Sequence, residues 1–403
     1  MTVRHLLTIL LILLQHTRSY AQAGCTDPYA TNYNPGANTN DGSCLYPVTH
    51  DTMQLRTQLP IAITESSGLA WDNGKLWTHN DSGNPSTFFS IDTSDGHILQ
   101  TVYVDNHSNV DWEDITTDND YIYIGDFGNN NGNRTNLRVL RISKADIGND
   151  TAVHVNADLI AFSYSDQTSF TSNQLNNYDC ESIISIGDSL YIFTKDRLDQ
   201  QTRVYKMPKV PGTYSLSPYT SYNVGGLITA ASYNTATHEI VLLGYTLLKT
   251  NSFLWFLNDY NGNMFFSGNK RRIEIGDNSE WQTEGIEFMG PNRFFISNET
   301  ATVNASLFIG EKNWLSSLGL SNQNIKQNTI GVFPNPVGDT FYLTGIDHKM
   351  NYLIRSMDGR IITTGSLDPV RDSIHFSKAA AGKYLLELEN GSGNKQVLSI
   401  IKK

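Results

Sequence analysis

The chain has 403 residues, enough for two or three domains, and a formal net charge of −11, with 29 Lys and Arg against 40 Asp and Glu. This acidic balance argues against nucleic acid as a partner, because nucleic-acid binding needs a clustered positive surface. Tyr (20) and Phe (17) are plentiful, and Asn and Gly separate short apolar runs, a composition typical of an all-β protein with many tight turns. After the N-terminus no apolar stretch reaches about 18 residues, so no membrane span is expected in the mature chain.

Residues 1–23 have the parts of a secretory signal peptide. Arg4 and His5 begin it, residues 6–14 form the apolar centre, and Ala21-Gln22-Ala23 supplies a small-x-small cleavage site. A lipoprotein motif at residues 23–25 is an alternative, but Gln22 stands where that motif needs an aliphatic residue. The sequence therefore predicts an exported protein whose mature chain begins at residue 24.

Residues 24–47 form a short segment rich in Asp and Asn. In an exported protein Cys25 and Cys44, 19 positions apart, are expected to form a disulfide. The order Gly-Cys-Thr-Asp-Pro to Asp-Gly-Ser-Cys closely resembles a repeat common in exported proteins of the Bacteroidetes. Several side-chain oxygens suit calcium ligation and Asx-turns about equally well. They belong to Asp27, Asn38, Asn40 and Asp41.

Residues 48–315 repeat one phrase: a polar or acidic start, an apolar strand, a turn, and a second strand that closes on an acid. Clear copies start around Glu113, Glu181 and Glu284, and looser copies around Ser67 and Ala230. Two further strands follow each copy except the last, which has one. A fixed phrase at intervals of a few dozen residues marks a repeat architecture.

Four antiparallel strands per unit predict a β-propeller, and residues 55–63 would complete the last unit and close the ring. The five copies predict five blades. The step from Glu113 to Glu181 is 68 residues, against 46 to 54 for the others, so a sixth blade is possible there. A long surface loop over residues 165–178 is the simpler interpretation, and five blades are favoured.

The central segment also resembles known propellers. The Ser-Gly-Leu and Glu-Gly-Ile starts, with Asn-Asp and Asn-Glu ends, look like the SdiA-regulated propellers and the phytase esterase-like propellers. Uncharacterised Bacteroidetes propellers with Asn-Asp-Ser-Gly, Trp-Glu-Asp-Ile and Gly-Asp-Phe-Gly-Asn-Asn phrases are more similar still. The resemblance implies a propeller over the middle two-thirds of the chain.

Residues 316–329 are rich in Ser, Asn and Gln and are predicted to be a linker. Residues 330–403 contain alternating strands around an Asp-Gly turn, which suggests a small β-sandwich. Its Pro-Asn-Pro start, Asp-Gly-Arg turn, Ala-Gly-x-Tyr strand and basic end resemble the type A sorting domain of the type IX secretion system. That resemblance implies export across both membranes, usually followed by removal of the domain and attachment or release at the cell surface.

The acidic starts supply the candidate site. In a propeller the innermost strands begin near the central channel, so Glu113, Glu181 and Glu284 are expected to converge on one axis. Three such carboxylates repel unless they bind a cation or take up protons, and oxygen ligands suit calcium. Asp81 and Glu299, which close second strands, are candidate ligands or surface acids. The alternative for the glutamates is that they accept hydrogen bonds from backbone amides of a neighbouring blade.

Other residues offer weaker signals. Lys195 and Arg197 could meet an anionic substrate, although a surface ion pair is favoured. Cys180 is predicted to be buried rather than nucleophilic. No His-Glu-x-x-His zinc pattern, Gly-x-Ser-x-Gly elbow or phosphate-binding Gly-rich loop is present in the sequence.

Two functions from different classes remain. The favoured one is an exported binding propeller that holds a cation, with calcium as the candidate, and presents its loops to an extracellular glycan, peptide or small molecule. The alternative is a calcium-dependent hydrolase of phosphoesters, esters or lactones, with its site at one mouth of the propeller.

Overall fold

The computed structural model describes residues 21–249, 251–277, 282–312, 330–333, 335–344, 349–357, 359–367, 373–390 and 395–403. The predicted linker and most of the predicted signal peptide lie outside these residues. In the described part the fold is built from strands, and the helical segments are the 3-10 turns Lys144–Asp146 and Phe265–Ser267. No helix in that part is long and apolar enough to cross a membrane.

The N-terminal segment is held by the predicted disulfide. Cys25 and Cys44 are bonded and buried. This segment and the residues flanking it contain the strands β1 (Ala23–Gly24), β2 (Thr39–Asn40) and β3 (Thr49–His50). Asp27 accepts a hydrogen bond from the amide of Tyr29, and Asp41 accepts one from the amide of Ser43. Both carboxylates therefore form the Asx-turns that the sequence offered as one alternative.

The central domain follows, and its described residues form 22 strands. They are β4 (Gln54–Gln58), β5 (Ser66–Asp72), β6 (Lys75–Asn80), β7 (Thr87–Ile91), β8 (Ile98–Val104), β9 (Trp112–Thr117), β10 (Tyr121–Asp126), β11 (Arg138–Ser143), β12 (Ala152–Val155), β13 (Asp158–Tyr164), β14 (Cys180–Ile186), β15 (Ser189–Thr194), β16 (Gln201–Pro208), β17 (Gly212–Leu216), β18 (Pro218–Asn223), β19 (Leu227–Asn234), β20 (Glu239–Tyr245), β21 (Asn251–Asn258), β22 (Asn269–Asp277), β23 (Gln282–Phe288), β24 (Arg293–Glu299) and β25 (Ser306–Glu311).

These strands form five sheets, which we number in chain order. From the innermost strand outward they are β5-β6-β7-β8-β12, β9-β10-β11-β13-β17, β14-β15-β16-β18, β19-β20-β21-β22-β3 and β23-β24-β25-β4. The sequence correctly predicted that an N-terminal strand completes the last sheet, because β4 pairs antiparallel with β25. It missed β12, β17 and β3, which add parallel fifth strands to the outer edges of three sheets.

The innermost strands of the five sheets form a closed cycle of contacts. Each of the innermost strands β5, β9, β14, β19 and β23 contacts the next, and β23 contacts β5. Apolar side chains fill every gap between consecutive sheets, including the gap between the fifth sheet and the first. Burial of these layers is the main stabilising contribution, because the strands present apolar residues on both faces.

The C-terminal domain contributes the strands β26 (Gly331–Phe333), β27 (Thr340–Thr344), β28 (Met350–Ser356), β29 (Ile361–Leu367), β30 (Ser373–His375), β31 (Gly382–Asn390) and β32 (Lys395–Lys402). They form two sheets, β26-β27-β30 and β29-β28-β31-β32, over a separate apolar core that includes Phe341, Ile354 and Leu386.

Candidate functional site

A cavity of about 310 Å³ opens at the end of the ring where the innermost strands begin. We call it the acidic cavity. All five residues of the central domain that the sequence singled out as metal ligands line it. They are Asp81, Glu113, Glu181, Glu284 and Glu299.

A β-bulge in each innermost strand orients the glutamates. The register between each innermost strand and its neighbour skips one residue near this end. A bulge leaves its extra residue unpaired and redirects its side chain. The extra residues are Ser67, Glu113, Glu181, Thr229 and Glu284. The prediction of Ala230 at the fourth position was therefore wrong by one residue, since Thr229 is the bulged one.

The ends of second strands supply the remaining acids. Asp81 directly follows β6, and Glu299 is the last residue of β24, where it accepts a hydrogen bond from the Gln282 side chain. The comparable acids Asp126 and Asp196 do not line the cavity. Asp126 pairs with two arginines, and Asp196 pairs with Arg203.

Burial makes the charged state of these acids costly. The pKa of Asp81 is raised to about 7 by burial and by the nearby Asp111 and Glu284. Burial, with neighbouring acids, raises the pKa of Glu299 to about 9. The pKa values of Glu113, Glu181 and Glu284 are also raised, and burial is again the largest cause.

Basic side chains offset part of this charge. Lys195 Nζ lies 3.1 Å from Glu181 Oε1 and 5.4 Å from the centre of the Tyr245 ring. Burial opposes its charge, but Glu181, Tyr245 and Glu284 outweigh burial and raise the pKa of Lys195. Arg197 also lines the cavity and pairs with Asp179 outside it. Both residues form ion pairs, as the sequence favoured, but these pairs are largely buried rather than at the surface.

The cavity remains formally acidic after these contacts. Its lining has five carboxylates against three basic groups, a formal charge of −2 if all are ionised. Glu284 is 3% exposed, and its Oε2 has no hydrogen-bond partner among the described residues. A buried carboxylate oxygen without a partner is costly unless a proton or a cation neutralises it.

Asp111 belongs to the same cluster, although sequence reasoning did not single it out. Carboxylate oxygens of Asp81, Asp111 and Glu113 all lie within 4.8 Å of one another. Asp111 precedes β9 by one residue, and the acid-rich run Asp111-Trp112-Glu113-Asp114 was the available signal. Three oxygens at this spacing, with further acids nearby, suit a hard divalent cation such as calcium.

Gly128 gives the carboxylates of this cluster the space they occupy. A Cβ at Gly128 would lie 1.9 Å from Glu113 Oε1 and 2.5 Å from Asp111 Oδ2. The loop that follows β10 therefore approaches these carboxylates more closely than any side chain would allow. The donor chemistry, the unpartnered oxygen and this close approach are all consistent with a cation in the cavity.

The alternative expectation for the glutamates was that they accept hydrogen bonds from backbone amides of a neighbouring unit. Asp114 does this instead. It is fully buried, and its carboxylate accepts hydrogen bonds from the amides of Ile115 (2.8 Å) and Ile183 (2.9 Å) and from the backbone of Ala231. These amides belong to the second, third and fourth sheets. Asp114 therefore links three innermost strands, while Glu113 beside it faces the cavity.

Two further buried residues with titratable side chains, His79 and Cys180, lie outside the cavity lining. His79 is fully buried, stacks edge-on against Trp112, and has a pKa lowered to about 4, chiefly by burial. Cys180 is fully buried, as predicted.

Residues 331–403 match the family model described as a secretion system C-terminal sorting domain. The C-terminal domain is a type IX secretion sorting domain. The protein is therefore exported by type IX secretion to the cell surface or the extracellular space. No curated protein matches the chain.

Several solved structures align with the chain at low sequence identity and low TM-score. A β-propeller domain of Cps50 (Swd1) from Myceliophteria thermophila is 8% identical with a TM-score of 0.33, over 83% of each chain. An exo-beta-1,3-galactanase from Phanerochaete chrysosporium is 8% identical with a TM-score of 0.39, over 91% of this chain and 97% of the galactanase. A chain of a mitotic checkpoint complex is 12% identical with a TM-score of 0.30, and the protein spans 62% of its length. At these values no activity is carried over.

Proposed function

We propose that the five sheets are the blades of a β-propeller and that the exported protein binds calcium in the acidic cavity. The bound cation and the surrounding loops then hold an extracellular polar ligand. The observation that carries this proposal is the convergence of acids from the first, second, third and fifth sheets on one cavity, where Glu284 Oε2 is buried without a hydrogen-bond partner in the part of the chain that the structure describes.

Calcium explains the cavity better than buried protons do. Without a cation, the raised pKa values mean that ionising these acids opposes folding at neutral pH. A bound cation reverses that effect, because each ionised oxygen then contributes to coordination. Calcium accepts six to eight oxygen ligands, so loop residues, water or the extracellular ligand can complete its shell.

Binding is favoured over catalysis by the side chains in the cavity. No His occurs among its described lining residues, and His79 is neutral and buried outside it. Lys195 is paired with Glu181 and has a raised pKa, so it is a poor general base. The cavity therefore holds charge well but lacks an evident proton-transfer pair.

The test is thermal unfolding of the chain from residue 24 onward, in calcium and after chelation. At about 100 times its Kd, a bound ligand stabilises the folded state by about 2.7 kcal/mol, a rise in Tm of roughly 5 to 10 °C for a domain of this size. Glu113→Gln and Glu284→Gln should abolish the calcium-dependent rise while keeping the fold. Asp120→Asn, at an exposed turn, is the matched control. No rise in the unsubstituted chain would contradict the proposal.

A calcium-dependent hydrolase is the second candidate, favoured by Asp81. Its carboxylate lies in one cluster with Asp111 and Glu113, where it could accept a proton from a water molecule held by the cation. The test is a screen of the full chain against phosphoesters, esters and lactones, in calcium and in chelator. Turnover that chelation and Asp81→Asn both abolish would replace the binding proposal.

A further inference from the structure

An outward-facing tyrosine of the sorting domain packs against the central domain. Along β27, Phe341 and Leu343 face the core of the sorting domain. Tyr342, between them, points the other way and is 5% exposed. It packs into the apolar layer between the first and fifth sheets, beside residues such as Leu76 and Phe295.

Further contacts surround this tyrosine. The ring centres of Tyr342 and Trp71 lie 5.0 Å apart in an edge-to-face arrangement. The Tyr342 hydroxyl group is within hydrogen-bonding reach of Thr93. Arg293, which is 4% exposed, donates to the backbone carbonyl of Leu343 at 3.5 Å. Aromatic burial, two polar contacts and an edge-to-face ring pair distinguish this contact from a random collision of two tethered domains.

The contact lies at the opposite end of the first sheet from the acidic cavity. Trp71 is four residues beyond Ser67 on β5, about 13 Å along the strand at roughly 3.3 Å per residue. Trp71 also lines a second cavity, of about 140 Å³, at the ends of the innermost strands. The acidic cavity opens where those strands begin.

We propose that the sorting domain docks on the central domain through Tyr342, beside Trp71, and so leaves the acidic cavity open while the export signal is attached. The occupant of this apolar surface is the protein's own sorting domain. The proposal is independent of the cation, and its test does not use calcium.

A disulfide trap tests the geometry. A Cβ built at Gly74, in the turn after Trp71, lies 3.8 Å from the Cβ of Thr340, which is the separation typical of a disulfide. The full chain carrying Gly74→Cys and Thr340→Cys is oxidised at low concentration, and the crosslink is mapped by mass spectrometry. The matched control pairs Gly74→Cys with Thr364→Cys, an exposed position on β29, so both proteins carry the same substitution at the positive-φ Gly74.

Docking predicts that the Gly74–Thr340 pair crosslinks within one chain at least about tenfold faster than the control pair, because docking raises the effective concentration of the two thiols. Adding Tyr342→Ala should remove most of that advantage. Equal rates for the two pairs would overturn the proposal.

A second measurement needs no cysteine. Tyr342→Ala in the full chain should speed amide hydrogen exchange of residues 71–75, while exchange in the β9–β10 turn, residues 118–120, stays unchanged. Unchanged exchange at residues 71–75 would also overturn the proposal.

Discussion

Replacing Asp81 by Asn should change how the stability of the protein depends on pH. Burial raises the pKa of Asp81 from 3.8 to about 7 in the folded, calcium-free protein. Between these values the folded state holds a proton that the unfolded state has released. The stabilising contribution of the protonated group is present below about pH 4 and is lost as pH rises through about 7. Asn has a similar shape but does not ionise, so it avoids this loss.

The size of the expected change in the free energy of unfolding follows from the pKa shift of Asp81. One pKa unit corresponds to about 1.36 kcal/mol, so a shift of roughly three units corresponds to about 4 kcal/mol. In chelator, Asp81→Asn should therefore gain up to about 4 kcal/mol relative to the unsubstituted protein between about pH 4 and pH 8. Calcium should reverse the order at neutral pH, because the amide side chain of the variant is a weaker ligand than a carboxylate.

Urea unfolding followed by Trp fluorescence, at about pH 5 and pH 8, measures this difference. His79 also titrates: its pKa is lowered to about 4, so its contribution is lost as pH falls below about 6.5. That effect is common to both proteins and cancels in their difference. Asp120→Asn serves as the control. If Asp81→Asn tracks the unsubstituted protein in chelator at both pH values, the assignment of a buried, uncompensated carboxyl group at Asp81 is wrong.

Three further predictions concern the same region and the disulfide. Asp114→Ala removes the acceptor for three buried amides and should destabilise the protein by about 3 to 5 kcal/mol in urea unfolding, whereas Asp120→Ala should change stability by less than about 0.5 kcal/mol. Gly128→Ala forces a methyl group against the cavity carboxylates, so it should keep the fold but lose most of the calcium-dependent rise in Tm; an unchanged rise would contradict the placement of the cation. Cys44→Ser opens a loop of 19 residues and should destabilise the N-terminal segment by roughly 3 kcal/mol, seen as faster proteolysis of residues 24–47, while the central domain unfolds as before.

The repeats made the strand arrangement of the central domain predictable from its sequence. The phrase that begins at Glu113 returns at Glu181 and Glu284. Aligning these three copies within one chain shows where their innermost strands start. The closing strand was also predictable, since the last copy lacked one strand and residues 55–63 had no other place. The observed strand β4 covers the first part of that segment. A strand that occurs only once in a chain cannot be aligned with other copies in this way.

The bulges explain why the sequence alone did not show which of two neighbouring acids faces the cavity. Strict alternation along β9 would place Glu113 and Asp114 on opposite faces of a flat strand. It would not show that one faces the cavity and the other accepts hydrogen bonds from backbone amides. The bulge leaves Glu113 unpaired and aims it at the cavity, whereas Asp114 keeps its pairing and bonds across sheets. Register is a property of two strands, so one strand's sequence does not reveal it. The same reasoning applies to Thr229, which the sequence misplaced by one residue.

Docking of the sorting domain was hidden for a similar reason. Alternation in β27 shows that Tyr342 leaves the domain core, and an isolated outward tyrosine is ordinary on a protein surface. Only the position of the first and fifth sheets shows that an apolar layer covers it.

The adjacency of Glu113 and Asp114 couples the site to the fold. A deletion that removed the bulge would shift the strand by one residue, turning Glu113 into the paired position and withdrawing Asp114 from the amides of its neighbours. The Glu113 charge in the cavity and the Asp114 hydrogen bonds that link three sheets would then be lost together. Substitutions that keep chain length separate the two: Glu113→Gln acts on the cation alone, and Asp114→Ala acts on stability. If Glu113→Gln destabilised the chelated protein as much as Asp114→Ala does, the division of roles between these neighbours would be untenable.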